Sequence, residues 1–170
     1  HFGFVFQQAH LVSNLTLFEN VAVPGYLKAG RSAADTRAVA QAFVERMGLD
    51  ADAHHLPSQA SGGQQQRCAV ARSVVNDPDI VFADEPTGAL NRANTFEVLS
   101  LLCELNGSGQ SICMVTHDVL CALRANRVLY LEDGSIKGEL ELPAFRGGDG
   151  GAYLKARDAQ VNAWLSSLAW

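Results

Sequence analysis

The chain has 170 residues, of which 48% are hydrophobic and 18% are charged, and its formal net charge is −5. These values fit one ordinary globular domain or part of one, and they exclude disorder along the whole chain. They also argue against a nucleic-acid-binding surface, because such surfaces concentrate basic residues. No apolar run approaches the roughly 18 residues that a membrane-spanning helix needs.

The four cysteines show no C-x-x-C spacing and lie within apolar stretches. We therefore expect buried free thiols in a reducing compartment, with a zinc site as the less favoured alternative. No cysteine or carboxylate set accompanies the adjacent His54 and His55, so we do not expect a metal site there. The cysteines are Cys68, Cys103, Cys113 and Cys121.

The aromatic and β-branched stretch Phe2 to Phe6 predicts a first strand. Gln7 follows it directly and is a candidate site residue. A strand within six residues of a chain that begins with His1 rather than Met suggests a protein cut at its front.

A small helical subdomain is predicted next, from about residue 16 to residue 75. Thr16 with Glu19 and Ser32 with Asp35 form capping patterns that predict two helix starts. Pro24-Gly25 is expected to interrupt the first helix, and Gly48 to end the second.

Ser61-Gly62-Gly63-Gln64 is a third capping pattern, S-x-x-Q, and it opens a helix that runs to about Val75. Two glycines without side chains and the positive end of the helix dipole suit this turn to a phosphate. An ordinary helix start is the alternative at this point.

A Pro-containing break leads to the continuous apolar run Ile80 to Ala83, which predicts a strand buried on both faces. The acids Asp84 and Glu85 follow it. Because ligands of open α/β folds bind at the carboxyl ends of strands, these acids are candidate site residues. A simple Asp-Glu-Pro turn is the alternative.

The pattern repeats once more along the chain. A helix is predicted from Asn91 to Asn106, then a buried strand from Ile112 to Val115, and His117 follows that strand. A lone histidine after a strand is more often structural. Here, however, polar residues follow two successive strands, which favours a functional site at their ends. We group residues 76 to 142 as part of a catalytic core.

The remaining core elements are a short helix, two strands and the turn between them. Alternating strands and helices predict an α/β fold with a mostly parallel sheet and helices on its faces. These last elements are Leu120 to Ala125, Arg127 to Leu131, Asp133-Gly134 and Ser135 to Leu142.

Residues 143 to 170 are predicted to form a tail with a terminal helix, after a flexible glycine-rich joint at Gly147 to Gly151. Docking of this helix on the body is favoured over membrane-surface binding, because its polar face is not rich in Lys and Arg. Its apolar side is formed by Leu154, Val161, Trp164, Leu165 and Leu168.

Taken together, these pieces resemble the nucleotide-binding subunit of ATP-binding cassette (ABC) transporters, a P-loop NTPase-like fold, over residues 2 to 140. F-V-F-Q resembles the Q-loop, A-S-G-G-Q the signature motif, I-V-F-A-D-E the Walker B motif with its glutamate, T-G-A-L-N the D-loop and V-T-H-D the switch histidine. The sequence T-G-A-L and the C-terminal sequence W-L-S-S-L-A-W are similar to those of lipoprotein-release, macrolide and antimicrobial-peptide exporters.

The resemblance implies a role in ATP hydrolysis with Mg²⁺ for each motif residue. Asp84 would hold Mg²⁺ through water, Glu85 would activate the attacking water, Gln7 would contact metal and water, and His117 would contact the γ-phosphate. The signature residues would act on ATP held by a second ATPase subunit, and the D-loop would couple the two subunits. These last two sets are Ser61, Gly62, Gly63, Gln64 and Ala89, Leu90, Asn91.

The resemblance also implies partners and a location. A permease in the membrane and a second ATPase subunit, as in a homodimer, are expected, at the cytoplasmic face of the cell membrane. No nucleic acid partner and no direct insertion into the membrane are expected.

The chain departs from the family pattern at three places. It has no G-x-x-x-x-G-K-[S/T], so by itself it is expected to bind ATP poorly or not at all. Ala60 replaces the usual signature Leu, and Asn91 stands where the D-loop usually has Asp. A non-catalytic regulatory or scaffold domain is therefore the main alternative, and a DNA-repair ATPase lobe is a less favoured one.

Overall fold

The structure, a computed structural model, describes residues 1–145 and 152–168 and consists of two compact units. The first unit is His1–Val115 and the second is Thr116–Trp170. The sequence-based division into a helical subdomain, a catalytic core part and a tail stays a prediction.

The first unit is built on a parallel sheet of three strands in the order β1-β2-β3. Phe4 lies opposite Phe82, and Phe82 lies opposite Cys113. Four helices accompany the sheet, with short 3₁₀ turns at Asp50–Asp52 and Pro57–Gln59. The elements are β1 (Phe2–Val5), α1 (Leu17–Tyr26), α2 (Ala33–Arg46), α3 (Gly62–Val74), β2 (Ile80–Asp84), α4 (Arg92–Gly107) and β3 (Ser111–Val115).

The two faces of this sheet differ in exposure. On one face, Val5, Val81 and Ala83 are buried. On the other, Phe4 is 49% exposed and Val115 is 63% exposed. The prediction that β2 is buried on both faces is therefore wrong, because Ile80 and Phe82 are only half-buried. The prediction that β3 is a buried strand is also wrong, because its residues alternate between exposed and half-buried. An apolar run does not reveal which face is covered.

Helix starts are the best-predicted local features of the unit. The Oγ1 of Thr16 and the Oγ of Ser32 each accept a hydrogen bond from the backbone N–H three residues on, as the capping patterns predict. Gly48 adopts a φ of 61° just after α2. The predicted interruption at Pro24 is wrong, because α1 continues to Tyr26 with Pro24 inside it.

Strand β1 and helix α3 pack unusually closely. A Cβ atom added to Gly3 would lie 2.3 Å from the backbone oxygen of Ser73. Only a glycine allows this approach, because any side chain would force the two backbones apart.

The cysteines are free thiols, but they are not all buried. Cys68 and Cys121 are buried, whereas Cys103 is half-buried and Cys113 is exposed on β3. Burial raises the pKa of the Cys68 thiol to about 12, so this group is an inert part of the core. The expectation of four buried thiols is corrected for Cys103 and Cys113.

The second unit contains a short helix, an antiparallel hairpin and a terminal helix. They are α5 (Val119–Ala122), β4 (Arg127–Glu132), β5 (Ser135–Glu141) and α6 (Ala152–Ser167). Asp133 and Gly134 both have positive φ angles, 49° and 71°, as the predicted two-residue hairpin turn requires.

The terminal helix α6 packs on the rest of its own unit, as predicted. Val161 and Leu165 are buried together with Leu123 and Leu142. The buried Arg157 donates hydrogen bonds to the carbonyl oxygens of Leu123, Ala125 and Pro143. The predicted glycine-rich joint lies outside the described residues. Of the helices in the described ranges, none has the length and apolar character needed to span a bilayer.

Candidate functional site

The signature turn is built by a complete capping box at the start of α3. The Ser61 Oγ accepts a hydrogen bond from the Gln64 N–H at 3.2 Å. The Gln64 Oε1 accepts one from the Ser61 N–H at 2.7 Å. Ser61 is exposed, so its hydroxyl lies at the positive end of the helix dipole where an anion can approach.

The two glycines of the turn have different surroundings. A Cβ added to Gly62 would meet only Leu90 within 4 Å, at 3.9 Å. A Cβ added to Gly63 would lie 2.5 Å from Cγ of Asn94 on α4. Gly62 therefore leaves the outer surface of the turn open, whereas Gly63 is needed for the close packing of α3 on α4.

The two acids lie at the carboxyl end of β2. Asp84 is the last residue of the strand and is exposed. Glu85 has a φ of 45°, a left-handed conformation that is unusual for a residue other than glycine. Its N–H donates to the carbonyl oxygen of Val115 at the end of β3, at 2.9 Å. The neighbouring strand therefore helps to hold Glu85 in a strained conformation.

The loop from Thr87 to Asn91 connects the acids to α4. Its backbone makes two short turns, with the Gly88 N–H bonded to the Glu85 oxygen and the Leu90 N–H bonded to the Thr87 oxygen, both at 3.0 Å. Asn91 is the N-cap of α4, and its Oδ1 accepts from the Asn94 N–H at 3.0 Å. Sequence reasoning placed Asn91 inside the helix. The structure gives it a capping role that Asp performs equally well.

Gln7 follows β1 and lies against this loop. A Cβ added to Gly88 would be 3.0 Å from Nε2 of Gln7. The structure therefore brings three predicted site segments together within the first unit: Gln7 beside the loop that follows the acids, and Leu90 of that loop beside the signature Gly62.

His117 belongs to the second unit. It is exposed and precedes α5, whose N-cap Asp118 accepts a hydrogen bond from the Leu120 N–H through its Oδ1, at 2.8 Å. Its predicted contact with a γ-phosphate stays a prediction, as do the roles of the other site residues.

Sequence reasoning missed side chains that hold the signature turn in place. Nε2 of Gln64 donates to Oδ2 of Asp52 at 2.6 Å, which fixes the orientation of the signature glutamine. Gln65 donates to the carbonyl oxygens of Pro57 and Ala60. The run of glutamines was visible in the sequence, but nothing in it names the partners.

The oxygen ligands in this region suit a magnesium ion whose coordination is completed by phosphate groups. Mg²⁺ prefers oxygen ligands and is typically held by one or two carboxylates together with substrate phosphates. Asp84 supplies carboxylate oxygens, and Gln7 supplies an amide oxygen. Within residues 1–145 and 152–168 there is no group of three or more His, Cys, Asp or Glu side chains that would hold a metal by themselves.

Comparison with curated proteins gives relatives that are named as export ATP-binding/permease proteins. The macrolide export ATP-binding/permease protein MacB of Bradyrhizobium diazoefficiens is 48% identical over 136 residues, which cover 80% of this chain and 21% of that protein. The probable syringafactin export ATP-binding/permease protein SyfD of Pseudomonas syringae is 44% identical over 137 residues, 80% of this chain and 21% of that protein. The chain thus spans about a fifth of the length of the curated relatives it matches.

A solved structure that is similar to this chain is also an ATP-binding protein. The ATP-binding cassette MJ0796, in a dimeric post-hydrolysis state bound to ADP and Pi, superposes with a TM-score of 0.73 at 39% identity. The match covers 85% of this chain and 64% of that one. It confirms the predicted α/β class with a P-loop NTPase-like parallel sheet, and the MacB-like relatives confirm the resemblance to macrolide exporters.

The family itself is shown by the family model of the ABC transporter, which matches residues 1–88. This match covers just over half of the 170 residues and includes the predicted Q-loop, signature and Walker B segments. The chain belongs to the ABC transporter family.

Proposed function

We propose that this chain is part of an ATP-binding component that hydrolyses ATP to drive export through a partner permease. The main support for the proposal is the left-handed backbone conformation of Glu85. Its left-handed φ of 45° costs free energy, and such strain clusters at functional sites, where the surrounding structure maintains it. A simple Asp-Glu-Pro turn gives no reason to keep a glutamate in this conformation.

Each predicted site residue has a task in this reaction. Asp84 and Gln7 bind the magnesium ion, Glu85 orients or deprotonates the attacking water, and His117 contacts the γ-phosphate. Magnesium bound with ATP supplies positive charge against the phosphate oxygens. Phosphoryl transfer needs mainly positioning and charge stabilisation, which carboxylates, amides and an imidazole provide.

The signature turn serves a different nucleotide. Ser61, Gly62, Gly63 and Gln64 act on ATP bound by a second ATPase subunit, and Ala89, Leu90 and Asn91 couple the two subunits. The open surroundings of Gly62 and the exposed Ser61 at a helix N-terminus support this role. The dimeric state of the MJ0796 cassette is consistent with it.

The names of the relatives support the choice of partners. MacB proteins are named as combined ATP-binding and permease proteins, so we propose a permease as the membrane partner here. The ATP-binding part then works at the cytoplasmic face of the cell membrane, and a homodimer supplies the second ATPase subunit.

The test is ATP binding and hydrolysis by two samples. Residues 1–170 are titrated with ATP with and without Mg²⁺, and the product of the whole reading frame is assayed for turnover. We expect no micromolar binding by residues 1–170, because they contain no G-x-x-x-x-G-K-[S/T] phosphate loop, and we expect turnover by the whole product. If the whole product binds ATP but never hydrolyses it, the non-catalytic scaffold alternative replaces this proposal.

A further inference from the structure

The segment that carries Gln7 is held from both sides by one helix. Gln7 and Gln8 are exposed, but the backbone before and after them is bonded to side chains of α3. Nε2 of Gln66 donates to the Phe6 carbonyl oxygen at 2.8 Å. Arg72 donates through Nη2 to the carbonyl oxygen of Ala9 at 2.7 Å and through Nη1 to the carbonyl oxygen of His10 at 2.8 Å.

Gln66 is a buried polar side chain with a specific partner. It is only 2% exposed. Buried amides are nearly always hydrogen-bonded, because an unpaired one keeps the full cost of leaving water. The bond to Phe6 therefore fixes the chain at the residue immediately before Gln7.

Arg72 fixes the chain beyond Gln8. Its planar guanidinium holds two consecutive carbonyl oxygens at once, which a single-headed donor such as lysine does not reproduce. Its second partner, His10, has a φ of 45°. A strained residue persists only where its surroundings hold it, and Arg72 supplies part of that restraint.

We propose that Gln66 and Arg72 are positioning residues, through which the signature helix sets the place of Gln7. The function of Gln7 as a contact to metal and water rests on the proposed function. The same helix begins with the signature turn, Ser61 to Gln64, so one rigid element carries the signature turn and supports the Gln7 segment. Displacing α3 therefore displaces both.

The first test is a ¹H–¹⁵N NMR comparison of variants of residues 1–170. The variants are Gln66→Leu and Arg72→Lys, with Gln65→Leu as the matched control. Gln65 also donates to backbone carbonyl oxygens, but those of Pro57 and Ala60. We expect the backbone and side-chain amide signals of Gln7 to shift and broaden in the first two variants and to stay in place in the control.

The second test is ATP turnover by the product of the whole reading frame carrying Gln66→Leu or Arg72→Lys. Misplacement of Gln7 is expected to lower kcat by about tenfold or more, because small displacements of positioned groups at an active site can cost up to about 10²-fold in rate. KM for MgATP should change less than kcat, because Gln7 acts on metal and water rather than on the bulk of the nucleotide. A residue that served stability alone would lower the melting temperature without this split.

The outcomes separate the inference from the proposed function. Unmoved Gln7 signals in folded Arg72→Lys, or equal shifts in Gln65→Leu, overturn the positioning role. If Gln66→Leu does not fold, Arg72→Lys tests the positioning role by itself. This variant is expected to fold, because lysine keeps the aliphatic stem and the positive charge of arginine. If the unsubstituted whole product has no turnover, the proposed function fails, and the NMR result still decides whether α3 positions Gln7.

Discussion

The signature turn and the acidic strand end are two parts of the first unit that are built in opposite ways. Ser61 and Gln64 cap α3 with a local, unstrained hydrogen-bond pattern that spans four residues. Glu85 has a left-handed backbone whose N–H is held by Val115, thirty positions along the chain. The first region is specified mainly by hydrogen bonds between neighbouring residues, whereas the second depends on a bond to a neighbouring strand.

In these two regions, the requirements of function and of stability relate to each other differently. A capping box stabilises its helix and presents its serine at no cost, so binding and folding favour the same residues. At Glu85 they oppose each other, because a glutamate in the left-handed region costs about 1 kcal/mol or more.

Replacing Glu85 should have the largest effect on activity. In the product of the whole reading frame, Glu85→Gln removes the carboxylate but keeps the shape of the side chain. We expect ATP turnover to fall by about 10²- to 10⁴-fold, the range for loss of a general base, while ATP binding is retained. Steady-state kinetics and equilibrium nucleotide binding measure the two effects. Turnover within a few-fold of the unsubstituted protein would remove Glu85 from the catalytic role.

A matched variant separates strain from chemistry at the same position. Asn adopts left-handed conformations more readily than Glu, whereas a β-branched residue rarely does, so in residues 1–170 Glu85→Asn should retain more of the free energy of unfolding than Glu85→Val. Chemical denaturation of the two variants measures this difference. Equal stabilities would show that the left-handed backbone imposes no cost at this position, and the contrast between the two regions would fail.

Gly63→Ala should destabilise the signature turn by about 1–3 kcal/mol, the usual cost of overpacking. The added Cβ would lie 2.5 Å from Asn94, whereas in the control Gly62→Ala the nearest atom is at 3.9 Å. Denaturant unfolding of residues 1–170 compares the two variants. Adding Asn94→Ala to Gly63→Ala should restore most of the loss, and equal stabilities of the two alanine variants would contradict the packing argument.

Removing the cap of α3 should have a smaller effect. Ser61→Ala loses the acceptor for the Gln64 N–H, which is expected to cost about 1 kcal/mol of unfolding free energy. Ser61→Thr keeps an acceptor and should lose less. Thermal and chemical unfolding measure both variants. No difference between Ala and Thr would mean that the hydroxyl does not stabilise the helix.

The smallest effect is expected at Asn91. Asn and Asp are nearly equal N-cap residues, so Asn91→Asp should change the free energy of unfolding by less than about 0.5 kcal/mol. Asn91→Ala, which removes the acceptor for the Asn94 N–H, is the control and should lose about 1 kcal/mol. A large gain from Asp would show that charge, rather than the cap, matters at this position.

Much of the local structure was predictable from single motifs. The helix starts at Thr16, Ser32 and Ser61, the stop at Gly48 and the hairpin turn at Asp133-Gly134 all follow from hydrogen-bonding and backbone preferences of a few adjacent residues. The continuation of α1 through Pro24 was not, because a proline inside a helix usually costs about 3 kcal/mol, and here the buried side of α1, which includes Leu17 and Val21, offsets that cost.

The candidate site was predictable in its residues but not in its support. Gln7, Asp84, Glu85 and the signature turn stand out as polar or glycine-rich breaks next to apolar runs. Their supporting partners, such as Gln66 for Phe6 and Asp52 for Gln64, are far away or carry no recognisable pattern. The exposure of Cys113 depends likewise on which face of the sheet is covered.

The family, the order of the motifs and the ends of most elements could be predicted from the chain alone, because they depend on residues that are neighbours along it. The packed fold was needed to show that Glu85 is held in a left-handed conformation by the end of β3, that Gly63 is pressed against Asn94, and that α3 holds the backbone around Gln7. These features depend on contacts between distant segments, and such contacts form only when the sheet and helices pack together.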